Sequence, residues 1–264
     1  MPPPLRPFDL LEPSDGRAYS EPFPRRVRAT LGDTTIVDTK AAHLVWEHRY
    51  YPQYYVPMED VLTGVLRPST EVGHHDGLGL MRYWHVQGGG GVERPNGAWM
   101  HPEAEPEFLR PLVRFAWASA DAWHEEEREV FVHPRNPYVR VDVLPSTREV
   151  RVEVEGELLA RSSRPVLVFE TGLPVRYYLP CADVRVERLE PSPLVTGCPY
   201  KGEAVHWRLA SADPGKHHAG DPEADAVAWT YEDSLPELAG IRNLISFYPG
   251  QVELYVDGHR QPPD

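Results

Sequence analysis

The stretch Cys198-Pro199-Tyr200-Lys201-Gly202 puts a thiol, a phenol and an ammonium within four residues and closes them with a glycine. The chain uses two of these residue types sparingly, with two cysteines and three lysines against twenty-four arginines. A lysine held in a Pro-preceded, Gly-followed turn would bind a carboxylate or phosphate as a point charge, or react as an amine if buried. Tyr200 beside it would pack or donate to a ligand, and Gly202 would let the backbone come close. Cys198 reads in two ways: a nucleophile beside a cation, or a small buried apolar side chain.

A carboxylate belongs to the same argument. Glu170 ends the apolar run Val166-Leu167-Val168-Phe169, and a carboxylate at the end of a core strand is costly to bury without a partner. It would serve as a general acid or base, or it would hold the fold through a loop or an arginine. The aromatic residues Tyr177, Tyr178, Trp207, Trp229 and Tyr231 would form the wall of a pocket or an ordinary core. Tyr177 and Tyr178 point to opposite faces of one strand, so at most one of them lines a given pocket. His206 alternates to the strand face of Ala204 and Arg208, opposite Val205 and Trp207. The pairs His74-His75 and His217-His218 sit in Gly/Asp-rich loops, poorly spaced to chelate one ion. No metal site and no cofactor is expected, and the run from His124 to Glu129 reads as a solvated face.

The elements that would position these groups occur twice. The segment from Val27 to Ser69 lies over that from Val150 to Ser192 without a gap, at an offset of 123 residues. Glu47 falls on Glu170, Tyr54-Tyr55 on Tyr177-Tyr178, Asp60 on Asp183, and Trp84 on Trp207. A shift of seven residues then places Ala98-Trp99 on Ala228-Trp229. Self-similarity over this length means two copies of one domain. The expected organisation is an N-terminal arm over residues 1–25, a first repeat over 26–138 and a second over 139–264.

Each copy reads as mainly β. The segment 150–162 alternates around Glu155-Gly156 as a hairpin does, and 29 prolines with 20 glycines suit short strands joined by turns. One helix per copy is expected. In the second it spans 234–247, with Leu238, Ile241 and Ile245 on one face and Ser234 with Glu237 as a capping box. In the first it falls near 105–117, kinked or delayed by Pro111. The fold class is therefore all-β to α+β: two tandem domains of twisted antiparallel strands, each with one helix.

Taken in order, Glu170, Tyr177-Tyr178 with Pro180 and Asp183, the run Cys198 to Ala204, Trp207, Ala228 to Tyr231, Phe247-Tyr248 and Val256 to Gly258 resemble domain-of-unknown-function family 427. That family sometimes carries a nucleotidyltransferase-like label. The resemblance implies a β-tent fold related to small zinc-bearing domains, although the paired cysteine motifs for such a zinc are absent here. A glycine-rich phosphate loop and a close aspartate pair are absent too. The first copy is similar but eroded: His75 to Gly79 replaces Cys198 to Gly202, and His101 replaces Tyr231.

The totals exclude several partners. A net charge of −13 argues against a nucleic-acid backbone, and no apolar run is long enough to span a membrane. The first ten residues predict no secretory leader, and two cysteines make no disulfide framework, so a reduced cytoplasmic setting is expected. The function expected is a small-molecule enzyme of unassigned reaction, acting on an anionic or carbonyl-bearing metabolite. Glu170, Lys201 and Tyr200 would be its catalytic groups. Tyr178, Cys198, Gly202, Trp207, Trp229, Tyr231 and Glu47 would hold the ligand. A non-catalytic binding module and a protein-interaction scaffold remain the alternatives.

Overall fold

The computed structural model describes residues 18–47, 51–105, 107–210 and 221–263. The chain divides into two compact units, Met1–Tyr138 and Val139–Asp264. Most of the segment expected as an arm, residues 1–17, lies outside the described residues, as does His217-His218.

The first unit contains β1 (Tyr19–Pro22), β2 (Val27–Leu31), β3 (Thr34–Thr39), β4 (His43–Trp46), β5 (Gln53–Pro57), β6 (Leu66–His75), β7 (Gly79–Gln87), β8 (Glu93–Met100), β9 (Leu112–Phe115), β10 (Ala122–Glu125) and β11 (Arg128–Val130). They form a seven-stranded sheet in the order β1-β4-β5-β9-β8-β7-β6 and a four-stranded sheet in the order β11-β10-β2-β3. Tyr19–Pro22 is therefore an edge strand paired with β4, and not part of an arm.

The second unit repeats the plan with β12 (Val141–Pro145), β13 (Val150–Val154), β14 (Glu157–Ser162), β15 (Val166–Glu170), β16 (Arg176–Pro180), β17 (Leu189–Cys198), β18 (Gly202–Leu209), β19 (Ala228–Thr230), β20 (Leu244–Phe247), β21 (Glu253–Val256) and β22 (His259–Arg260). Its sheets run β12-β15-β16-β20-β19-β18-β17 and β14-β13-β21-β22. Every strand pair in both units is antiparallel. The chain is thus mainly β, in two tandem domains.

Local chemistry explains the hairpins. Glu155 and Gly156 both take positive φ, 52° and 78°, the left-handed pair that a two-residue turn between right-twisted strands needs. Asp257 and Gly258 do the same between β21 and β22. The repeated aspartates fasten a hairpin to the turn that follows β5 or β16. Thr39 Oγ1 donates to Asp60 Oδ2 at 2.5 Å, and Ser162 Oγ to Asp183 Oδ2 at 2.7 Å. Arg164 and Ser162 hold the Asp183 carboxyl below its ordinary range.

In each unit the seven-stranded sheet is buried on both faces. One face of the second unit's sheet packs on the small sheet through Val150, Val152, Tyr177, Leu179, Ile245 and Phe247. Fully burying a side chain of this size contributes about 1.5–3 kcal/mol. The other face carries Val168, Tyr178, Ala204, Trp229 and Tyr231 beneath Leu238 and Ile241.

The expected helices are corrected. Among the described residues, Pro236–Ile241 is a short 3-10 turn broken at Leu238, and the chain then reverses at Asn243 (φ 58°) into β20. Ile245 consequently lies on the sheet face opposite Leu238 and Ile241. Ser234 does not cap: Leu235 precedes the turn with no side-chain bond, and the Ser234 hydroxyl is buried unpaired. Gly240 and the central position of β20 in the sheet outweigh the helical spacing. In the first unit the turn stops at Glu107–Leu109, ahead of Pro111, and the chain continues as β9; the residue before a proline is disfavoured in the α region.

One irregularity is shared. The outermost strand of each large sheet shifts register against its neighbour, between Pro68 and Val72 in β6 and between Pro191 and Val195 in β17.

Candidate functional site

Pro199, Tyr200 and Lys201 form the loop joining β17 to β18, whose ends are paired at Cys198 and Gly202. Gly202 has φ +102°, and a Cβ there would stand 3.1 Å from the Asp233 carbonyl oxygen. Only glycine occupies that backbone region without strain, so Gly202→Ala is expected to cost about 1–3 kcal/mol in urea denaturation. An unchanged midpoint would contradict this. The loop is anchored by the Leu235 amide, which donates to the Lys201 carbonyl at 3.1 Å.

This turn aims Lys201 inward. Its ammonium ion-pairs with the Glu170 carboxylate at the end of β15, and the two side chains are 10% and 12% exposed. The same ammonium lies 3.7 Å from Cys198 Sγ. The pair opens into a cavity of about 190 Å³, whose lining includes Arg176, Tyr178, Thr196, His206, Trp229 and Tyr231.

Tyr178 is fully buried on β16, and its hydroxyl accepts from Trp229 Nε1 at 3.1 Å. The two rings meet edge to face with centroids 6.2 Å apart. Trp229 also packs on Tyr248 at 4.4 Å. His206 Nε2 is 2.8 Å from Thr196 Oγ1 and its Nδ1 is 3.3 Å from Tyr248 Oη. Burial lowers the His206 pKa and raises those of Tyr178, Tyr231 and Tyr248, so the histidine is neutral and the phenols protonated at neutral pH.

Glu170, Lys201, Cys198, Gly202, Tyr178, Trp229 and Tyr231 are therefore brought together in the second unit. Tyr200 packs against the same cluster without lining the cavity. Trp207 is placed elsewhere: it lies on the opposite face of β18, its indole donates to Thr230 Oγ1 at 3.0 Å, and it borders a separate apolar pocket of about 150 Å³ with Leu189 and Ile245. Odd and even positions of a strand face opposite ways, which separates Trp207 from Ala204 and His206. Glu47 belongs to the first unit's own cluster. There Tyr55 Oη donates to it at 2.6 Å and Arg114 pairs with it at 2.7 Å.

Thr196, Arg176 and Tyr248 were not foreseen. Counting pairs outward from the Tyr200 turn sets Thr196 opposite Ala204, next but one to His206, and that register was readable once the loop was recognised. Tyr248 stood among the residues that carry the family resemblance, but its place at the cavity was hidden because the segment before it reads as helix. A separate, open depression of about 990 Å³ in the second unit lies between Glu153 and Gln261 and contains none of the expected residues. Its arginines, Arg208 and Arg260, are paired with Glu190 and Glu253.

No group of three or more metal-ligating side chains is arranged to hold an ion among the described residues. Both cysteines are free thiols. No helix among the described residues is long and apolar enough to cross a membrane.

Fold and site together define a duplicated antiparallel β protein in which one copy carries a small, polar-ended aromatic cavity. The chain belongs to the family described as "Domain of unknown function (DUF427)", whose profile matches residues 19–126 and again 142–258. No curated protein matches it.

Proposed function

We propose that the second unit is an enzyme acting on a small anionic or carbonyl-bearing metabolite. Glu170 is its acid/base and Lys201 the cation facing the charge that develops on substrate oxygen. The observation that carries this reading is the buried Lys201–Glu170 pair, which opens into an aromatic-walled cavity and not into a packed core. A preorganised donor at a developing oxyanion contributes roughly 3–4 kcal/mol to the barrier. A cavity of about 190 Å³ falls below the roughly 300 Å³ at which drug-sized ligand pockets begin, which disfavours a nucleoside triphosphate as substrate. The free thiols suit a reducing cytoplasm.

The test is to incubate the protein with keto acids, amino acids and sugar phosphates in D₂O and follow them by NMR. One class is expected to be consumed or to exchange a proton for deuterium, and Glu170→Gln is expected to slow this by about 10²–10⁴-fold. Ligand-dependent stabilisation without turnover would make the unit a binding module. Neither binding nor turnover would overturn the small-molecule reading in favour of a scaffold.

The binding-module reading has one observation of its own. In the first unit Glu47 is fully engaged by Tyr55 and Arg114, so a buried carboxylate at this position serves the fold even where the thiol and ammonium are gone.

A further inference from the structure

A smaller cavity, of about 150 Å³, lies on the other face of the second unit's large sheet, away from Lys201 and Glu170. Its inner wall is made by Leu189, Thr230 and Ile245, all buried, and the half-buried Trp207. Cys181, Val186, Glu232 and Asn243, all exposed, form its mouth. The polar groups of the wall and lip engage one another. Trp207 Nε1 donates to Thr230 Oγ1 at 3.0 Å, and the Cys181 thiol donates to the Asn243 carbonyl at 3.1 Å. The surface left facing the space is mostly apolar. A water molecule needs two to four polar partners to be held in a cavity, and replacing a poorly held water by an apolar group is favourable.

The first unit shows what kind of group this place accommodates. Met58 opens the 3-10 turn that Cys181 opens in the second unit. Arg82 pairs with Met100 as Val205 pairs with Thr230, and Met100 pairs with Val113 as Thr230 pairs with Ile245. Two methionines therefore stand where the second unit has a cysteine and a threonine, and both pack on the first unit's core, as do Leu66 and Trp84. Met100 has no hydroxyl, and Trp84 Nε1 is accordingly buried without an acceptor among the described residues. The first copy keeps two long apolar side chains at the expense of an indole hydrogen bond, whereas the second has two short ones and a cavity. A protein partner suits the cavity poorly. Exposed Arg185, Glu187 and Glu232 flank its mouth, and the core of a stable interface is depleted of charge.

We propose that this cavity is a binding site for a small, neutral, apolar molecule of about the size of benzene. The ligand takes the place that Met58 and Met100 hold in the first unit. The site is separate from the Lys201–Glu170 cavity and does not rest on any reaction there.

The experiment titrates benzene into the full chain and follows side-chain methyl groups by NMR, for the wild type, Cys181→Met and Cys181→Ser. Benzene is expected to bind the wild type in the millimolar range or tighter. It should shift the methyls of Leu189 and Ile245 and leave those of Val168, in the other cavity, unmoved. Cys181→Met puts the first unit's side chain at the mouth and keeps the bond between Trp207 and Thr230. It is expected to bind at least tenfold more weakly, while Cys181→Ser, which leaves the space open, binds as the wild type does. No saturable shift at Leu189 and Ile245 in the wild type would overturn the proposal, as would shifts at Val168 in their place. Binding by Cys181→Met as tight as wild type, or an equal loss in Cys181→Ser, would overturn it too. If Cys181→Met does not fold, the wild-type methyl shifts decide alone.

Discussion

Lys201→Leu is expected to cost the second unit about 3–5 kcal/mol, the usual penalty for stranding a buried charge whose partner has been removed. Glu170 would be the stranded group, its side chain 12% exposed and paired to Lys201. The first unit shows how the same deletion is tolerated. There Leu78 occupies the lysine position, buried at 2% exposure, and the carboxylate is neutralised from a different strand. Arg114 on β9 pairs with Glu47 at 2.7 Å while its guanidinium lies 4.4 Å over the Trp99 ring. The register sets Arg114 opposite Trp99 as it sets Ser246 opposite Trp229.

The cation has therefore moved between strands while serving the same glutamate. Two residues beyond Arg114 stands Ala116, where the second unit has Tyr248 packed on its tryptophan. Combining Lys201→Leu with Ser246→Arg and Tyr248→Ala should recover most of the lost stability. Ser246 contributes nothing that would be missed, since its hydroxyl is buried without a partner. Urea denaturation of the wild type, the single variant and the triple variant measures the coupling. A triple variant no more stable than Lys201→Leu alone would show that the two cations are not equivalent.

The first unit should weaken by about 3 kcal/mol relative to a His101→Phe variant as pH falls from 6.5 to about 4. His101 is fully buried, stacked 6.2 Å from Tyr55 and edge-on to His75 at 5.8 Å. Burial chiefly, then the charges of His75 and Arg114, lowers its pKa from 6.5 to about 4, while the Leu80 backbone pulls weakly the other way. Neither ring nitrogen makes a well-formed hydrogen bond among the described residues. The folded state thus holds the imidazole neutral while the unfolded chain takes up a proton below pH 6.5. Stability from this group is full above that value and drains away as pH approaches 4, at about 1.4 kcal/mol per unit.

Glu47 and Arg114, which share the cluster, are present in both proteins and cancel in the comparison. Denaturation midpoints at pH 7.5 and 4.5 for the wild type and His101→Phe give the difference. Parallel losses in the two would mean that the folded state protonates His101 after all.

The duplication was the most legible feature of the sequence, because a gap-free offset from Val27 to Ser69 survives wherever strands and their turns are kept. Alternation also placed Tyr177 and Tyr178 on opposite faces, and they enter different clusters. Proximity of Glu170 and Lys201 followed from nothing local. They are 31 residues apart and meet because β15 and the turn before β18 belong to the same sheet, separated by strands whose order no periodicity reveals. Trp207 is a different case: it was chosen for its type, whereas its neighbours' alternation already assigned it to the far face. The helices failed for another reason. Leu238, Ile241 and Ile245 recur at helical spacing, but a 3-10 turn followed by a strand produces the same recurrence over so short a span.

The register break near Pro191 has a consequence for how separate molecules meet. An outer strand offers free amides and carbonyls along which a strand from another molecule can add itself and extend the sheet. In β17, Pro191 and Pro193 supply no amide hydrogen, and the ladder is already interrupted before Val195. The first unit has the same interruption after Pro68, although it has lost the thiol, phenol and ammonium of the cavity. The interruption stands in both copies, so resistance to strand addition along this edge does not depend on the residues around the second unit's cavity.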